Sequence, residues 1–125
     1  MVDKGNKQII CTSFANGKRH DFRIFKESGV RVKSETVLET DTGYQGIAKF
    51  HANSLLPKKR TKKNPLTKED KLNNRAISSE RVLNEHIIGV IKRFKIVSDR
   101  YRNRRKRFGL RFNLICGISN FELLI

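Results

Sequence analysis

The chain is poor in residues that staple a fold, bind zinc or cross a bilayer. Its two cysteines, Cys11 and Cys116, lie far apart with no paired spacing. That excludes a disulfide framework and predicts reduced, buried thiols in a cytosolic protein. His20, His51 and His86 are equally scattered, so no zinc-ligand spacing exists. No signal-peptide pattern is visible, and no apolar run is long enough to span a membrane. The apolar tail from Leu110 to Ile125 is broken by Arg111, Asn113, Asn120 and Glu122, which predicts an amphipathic core element rather than an anchor. Internal repeats are missing, as is low-complexity sequence outside two basic runs. Acidic residues are scarce: 12 Asp and Glu stand against 28 Lys and Arg, a net charge of +16.

What is present is a chain of 125 residues, room for one small domain, with 37% hydrophobic residues, enough to fold. So large a charge imbalance points to a polyanion, nucleic acid ahead of an acidic membrane, and no membrane or small-molecule substrate is expected as a partner. A surface kept soluble by charge does not call for so lopsided a balance. The first basic run is Lys58, Lys59, Arg60, Lys62 and Lys63; the second is Arg100, Arg102, Arg104, Arg105, Lys106 and Arg107. DNA phosphates are their simplest partner. The alternative for each is a charged loop with no fixed ligand. Tyr101 and Phe108 flank the second run, but two aromatics do not make a base-stacking platform.

Local patterns place the elements. Val2 to Asn6 reads as the turn of a hairpin, and Gln8 to Phe14 as a strand ending at Ala15-Asn16-Gly17. Asp21 to Ser28 reads as a short helix that Gly29 stops. Glu35 to Asp41 reads as a second strand and Gly46 to Ala52 as a helical turn. The basic run from Pro57 to Lys63 ends a short strand or begins a loop. Pro65 and Thr67 then lead into a helix from Asp70 to about Val97, which lacks proline and has a candidate break at Asn73-Asn74. Phe108 to Leu124 reads as a final helix. The order is α/β, but two strands make a poor sheet. The shortage predicts that further strands precede residue 1, with Met1 an internal start within a longer ancestral frame.

Acidic residues fall where phosphoryl-transfer chemistry needs them. Two-metal transfer on DNA requires carboxylates from different elements at one point. Asp41 ends a predicted strand, with Gly43 behind it for a tight turn. On the long helix, Arg81, Glu85 and Lys92 fall within an arc of about 40°. Leu83, Ile87, Val90, Ile91 and Phe94 cluster on roughly the opposite face, as core contacts. A carboxylate between two cations suits a site that holds metal and contacts phosphate. The spacing alone also describes an ordinary i,i+4 ion pair between Arg81 and Glu85 on a solvated face. Asp41-Thr42-Gly43 likewise matches common turn chemistry. His86, beside Glu85, reads as a helix-surface residue.

The segments Asp41-Thr42-Gly43-Tyr44-Gln45-Gly46, Ser79-Glu80-Arg81-Val82-Leu83-Asn84-Glu85-His86, Lys92-Arg93-Phe94-Lys95 and Tyr101-Arg102-Asn103-Arg104-Arg105, with His20-Asp21-Phe22, resemble the DDE transposases of bacterial insertion sequences, in the group related to insertion sequence five. The resemblance covers essentially all of residues 1–125. It implies a ribonuclease-H-like α/β domain that is incomplete, its first core strand missing, with a mixed sheet and long carboxy-terminal helices. It implies Asp41 and Glu85 as the second and third acids of a catalytic triad holding Mg²⁺ or Mn²⁺. Arg81 and Lys92 match the basic members of the Tyr-x-x-Arg-x-x-x-Glu-x-x-x-x-x-x-Lys signature, whose Tyr falls on Ser78. The intact enzymes cut a phosphodiester with water and join the freed 3′ hydroxyl to target DNA. In this family the first acid lies upstream of the opening hairpin. Asp3 and Asp21, the aspartates that precede Asp41, read instead as a turn residue and a helix N-cap. The expectation is a cytoplasmic, DNA-associated transposase fragment, inactive alone, whose DNA grip uses Arg81, Lys92 and both basic runs. An upstream transposase half or an intact transposase is a candidate partner. The alternative is a small basic, non-enzymatic nucleic-acid-binding protein.

Overall fold

The computed structural model describes residues 1–15, 17–99 and 107–125. Helices and a small parallel sheet are both present, in agreement with the α/β class. The elements are α1 (Asp21–Glu27), β1 (Leu38–Glu39), β2 (Ser54–Leu55), α2 (Lys68–Lys92), α3 (Lys95–Ser98) and α4 (Phe108–Glu122), with 3-10 turns at Thr42–Tyr44 and Ile47–Lys49 between the strands. None of these helices is long and apolar enough to cross a membrane. The chain divides into a central unit, Ala15–Arg81, and a terminal unit made of Met1–Phe14 and Val82–Ile125.

In the central unit, β1 and β2 pair in parallel, Leu38 opposite Ser54 and Glu39 opposite Leu55. The expected second strand shrinks to two residues, and the expected mixed sheet is a parallel pair among the described residues. The approach to this pair is fastened by side chains. The buried His51 hydrogen-bonds through Nε2 to the Thr36 carbonyl at 2.6 Å, and Asn53 Nδ2 donates to the Glu35 carbonyl at 3.1 Å. Ile47, on the 3-10 turn expected between Gly46 and Ala52, is wholly buried. Helix α1 forms as its sequence predicts, but its N-cap is His20 rather than Asp21. The imidazole Nδ1 accepts from the Phe22 N–H at 3.3 Å, and Asp21 sits in the first turn.

Helix α2 starts on a reciprocal cap. Thr67 Oγ1 accepts from the Asp70 N–H at 3.1 Å, and Asp70 Oδ2 accepts from the Thr67 N–H at 3.0 Å, so two orphan donors of the first turn are satisfied. The same Asp70 carboxylate takes the Lys58 ammonium at 2.8 Å. Asn73-Asn74 does not break the helix. Asn74 spends its amide on the Lys58 backbone, accepting from its N–H at 2.8 Å and donating to its carbonyl at 2.9 Å. The helix ends at Lys92, short of the expected Val97, and Phe94 is the extended N-cap of α3.

The Lys58 ammonium, aided by the Thr67 N–H, holds the Asp70 carboxyl below its ordinary value of 3.8. A depressed folded-state pKa gives stability that is whole above the unfolded value and lost as pH falls through the lower folded one. Thermal melts from pH 6 down to 2 should therefore show an acid limb that Asp70→Asn flattens. The Arg23-held Glu27 carboxyl, also lowered, supplies part of what remains. An unchanged limb in Asp70→Asn would refute this role.

In the terminal unit the predicted hairpin turn is present. Asp3 Oδ1 accepts from the Gly5 N–H at 2.8 Å, and Val2 bridges Ile9 antiparallel. The longer strand expected at Gln8 to Phe14 does not form. Instead Asn120 on α4 acts as the neighbour of Ile9, its amide accepting from the Ile9 N–H at 2.7 Å and donating to the Ile9 carbonyl at 2.9 Å. Two of the other polar interruptions of the tail are also used: Asn113 accepts from Thr12, and Glu122 pairs with Arg93. The core is Ile87 and Ile91 of α2 with Ile115 and Cys116 of α4, and Leu83, Phe94 and Phe112 pack against it. Both cysteines are free thiols; Cys116 is buried and Cys11 half-buried. Val90, expected in the core, is exposed because it lies about 100° round the helix from Ile91. Helix α4 is not amphipathic as expected: opposite its buried face it exposes Leu110, Leu114 and Phe121.

Candidate functional site

Asp41 lies two residues beyond β1 and caps the Thr42–Tyr44 turn from an extended backbone. Its Oδ1 accepts from the Gly43 N–H at 2.7 Å, so the turn-chemistry reading of Asp-x-Gly describes one oxygen. Its Oδ2 faces the Arg81 guanidinium at 3.9 Å, with both side chains about 40% exposed (39% and 40%). A pair this open adds little stability; its interest is placement. Among the described residues Arg81 takes Asp41 as its carboxylate partner, and the i,i+4 pair with Glu85 is not formed. Gly43 sits in a close approach: a Cβ there would lie 3.0 Å from Asp41 Oδ1 and 3.1 Å from the His20 ring, so both side chains would have to shift by a few tenths of an ångström. Next to it, Tyr44 is half-buried and packs on Phe22 and Phe25, with ring centroids 5.4 and 6.2 Å apart. Burial pushes the Tyr44 hydroxyl pKa up, and the charges of Asp21 and Asp41 add to the rise.

Arg81 closes the central unit, while Glu85, His86 and Lys92 belong to the terminal unit and are exposed on α2. Among the described residues, no group of three or more His, Cys, Asp or Glu side chains is placed to hold a metal ion.

The first basic run is ordered by its neighbours. Asn74 and Asp70 fix its start, and a turn closes it, Asn64 donating its N–H to Thr61 Oγ1 at 3.1 Å. Lys58 differs from the rest because its ammonium is already held by Asp70. Lys59, Arg60, Lys62 and Lys63 are exposed, and none has a carboxylate partner among the described residues. Arg60, Thr61, Lys62 and Pro65 line an open depression of about 340 Å³. Of the second run, Arg100, Arg102, Arg104, Arg105 and Lys106 lie outside the described residues. Arg107 is exposed and precedes α4 with a positive φ of 74°.

The sequence reading missed an aromatic group in the central unit, where Phe22, Phe25, Tyr44 and Phe50 converge from separate segments. Nothing in their spacing marks them, since they come together only when α1 meets the two 3-10 turns.

Comparison with known proteins supplies the remaining findings. The profile of the DDE superfamily endonuclease family matches residues 1–120. A curated protein of Microchaete diplosiphon, named a probable transposase for insertion sequence element IS702, is 45% identical over 125 residues. That match takes in 100% of this chain and 45% of the relative, so the chain spans less than half the relative's length. No solved structure matches the chain.

Proposed function

The chain belongs to the DDE superfamily endonucleases, and on that premise we propose that it is part of an insertion-sequence transposase of the group related to insertion sequence five. In this reading residues 1–125 are part of a ribonuclease-H-like catalytic domain. They work on DNA in the cytoplasm, together with an upstream half or an intact transposase. The whole enzyme's activity is metal-dependent strand cleavage and strand transfer. The observation that carries the reading is Asp41, held just beyond β1 with a guanidinium brought to its outer oxygen. Asp41 and Glu85 are assigned as acids of the site, Arg81 and Lys92 as phosphate contacts. Lys59, Arg60, Lys62, Lys63, Arg102, Arg104, Arg105, Lys106 and Arg107 grip the duplex. Lys58 holds the first basic loop against the start of α2.

Asp41 and Glu85 would hold a hard divalent cation such as Mg²⁺ or Mn²⁺, which would supply activation of the attacking oxygen and stabilisation of the leaving one. The donors within residues 1–125 do not make up that site. Asp41 and Glu85 are two of the three acids, and one Asp41 oxygen is committed to Gly43. No cleavage step follows from these residues by themselves. A polypeptide of residues 1–125 is therefore expected to leave supercoiled DNA uncut. Mg²⁺- or Mn²⁺-dependent nicking that disappears in Glu85→Ala would overturn that expectation.

The alternative, a non-enzymatic basic DNA-binding module, is favoured by the structural use of Asp41 in its turn. Mn²⁺ titration followed by electron paramagnetic resonance separates the two. Asp41→Asn keeps an acceptor for Gly43, and Glu85→Gln keeps the helix. Two acids without the third can hold Mn²⁺ only weakly, and the transposase reading expects that weak binding to fall further in each variant. DNA binding with no response to Mn²⁺ in any variant would select the basic module.

A further inference from the structure

Phe50 is a large aromatic left 62% exposed beside half-buried rings. It meets Phe22 edge to face, with centroids 5.9 Å apart and planes at 87°. Phe22 in turn rests on Tyr44, the last residue of the turn that Asp41 caps. Above this group lies Lys26, its Nζ 4.7 Å from the Phe22 centroid and 5.9 Å from that of Phe50. The ammonium itself lies over both rings, beside the exposed surface of Phe50. Lys49, next in the chain to Phe50, is also exposed.

The chemistry of the occupant follows from what surrounds the ring. A purely apolar protein surface would cover Phe50 but bury the Lys26 ammonium without a counter-charge, which is costly. A nucleotide satisfies both at once, offering a π-face to the ring and a phosphate to the ammonium. A base inside a duplex has both faces covered by its neighbours, so only a base out of the stack can use the site. We propose that Phe50, supported by Phe22 and flanked by Lys26 and Lys49, is a stacking site for one unpaired DNA nucleotide beside the Asp41 turn. The site adds single-strand recognition to the duplex grip of the basic loop. It rests on the reading of DNA as the partner, and it is carried by Phe50's exposure and the cation above the rings rather than by the acids.

The test uses fluorescence anisotropy with single-stranded and duplex oligonucleotides, and single strands carrying 2-aminopurine, whose emission is quenched on stacking. Wild-type protein should quench 2-aminopurine. Phe50→Ala should abolish the quenching and weaken single-strand binding about tenfold, the size expected for one stacked base, with duplex affinity unchanged. Phe50→Trp should keep both. Lys26→Ala should lower the salt slope of single-strand binding by about 0.7, one phosphate's share. Because Phe50 is mostly exposed, melting curves of its variants should overlay the wild type. Single-strand binding and quenching unchanged in Phe50→Ala would overturn the stacking site alone. A dimer-to-monomer shift in that variant without loss of DNA binding would overturn it in favour of a second copy. Failure of the wild type to bind any oligonucleotide would overturn both this inference and the DNA reading beneath it.

Discussion

Ile91→Ala is expected to destabilise the terminal unit by about 3 kcal/mol, within the range for a buried Ile or Leu truncation. Ile91 is 5% exposed and lies in one cluster with Ile87, Ile115 and Cys116. That core is small, so the loss of three carbons leaves a void that few neighbours can relax into. A domain of this size has only about 5–15 kcal/mol in total, so the melting transition should move down by many degrees. Val90→Ala is the control. Its side chain is 44% exposed, and its replacement should stay within about 0.5 kcal/mol. Thermal or urea denaturation of both variants reads the phase of α2 directly. Equal losses at the two positions would mean that the helix is rotated from the orientation described.

The second large effect concerns DNA affinity. Replacing Lys59, Arg60, Lys62 and Lys63 together by Ala should lower affinity for a duplex about a hundredfold or more near physiological salt. The slope of log affinity against log salt should fall by about 3.6, since each phosphate contact contributes about 0.9. The expectation rests on an ordered loop. Asn74 pins its start and the Thr61–Asn64 turn closes it, so its backbone need not be ordered on binding. Lys58→Ala should behave differently. Its ammonium lies on Asp70, so the variant should melt earlier while the salt slope barely moves. Anisotropy titrations at several salt concentrations check both. A fourfold variant that loses less than one unit of slope would remove this loop from the DNA contact.

The sequence was a good guide wherever structure is set within a turn or two of chain. The asparagine and glycine turn at Asp3 to Asn6, the helix from Asp21, the Thr67 start of α2 and the final helix from Phe108 all formed as the local pattern predicts. Each depends on capping groups or apolar periodicity supplied by near neighbours. The strands were less legible. Gln8 to Phe14 has strand-forming side chains, yet its backbone partner at Ile9 is an asparagine side chain from α4. Composition cannot announce a partner of that kind.

The same division runs through the candidate site. Charge, the order of Asp41 before Arg81 and Glu85, and the spacing along α2 are properties of the chain alone, and the family itself is legible in the segments around them that resemble the DDE transposases. Which carboxylate Arg81 meets is not. Helical spacing puts Glu85 within reach, but the guanidinium turns to Asp41, forty residues away in the sequence. Likewise Asn74 looks like a helix breaker until the Lys58 backbone arrives to take its amide. Phe22, Tyr44 and Phe50 are unremarkable until α1 and the two 3-10 turns bring them together beneath Lys26. Periodicity and caps are short-range, and one stretch of sequence contains both halves of each interaction. Long-range pairs exist only once two surfaces have met, and packing alone chooses among the side chains that are able to answer.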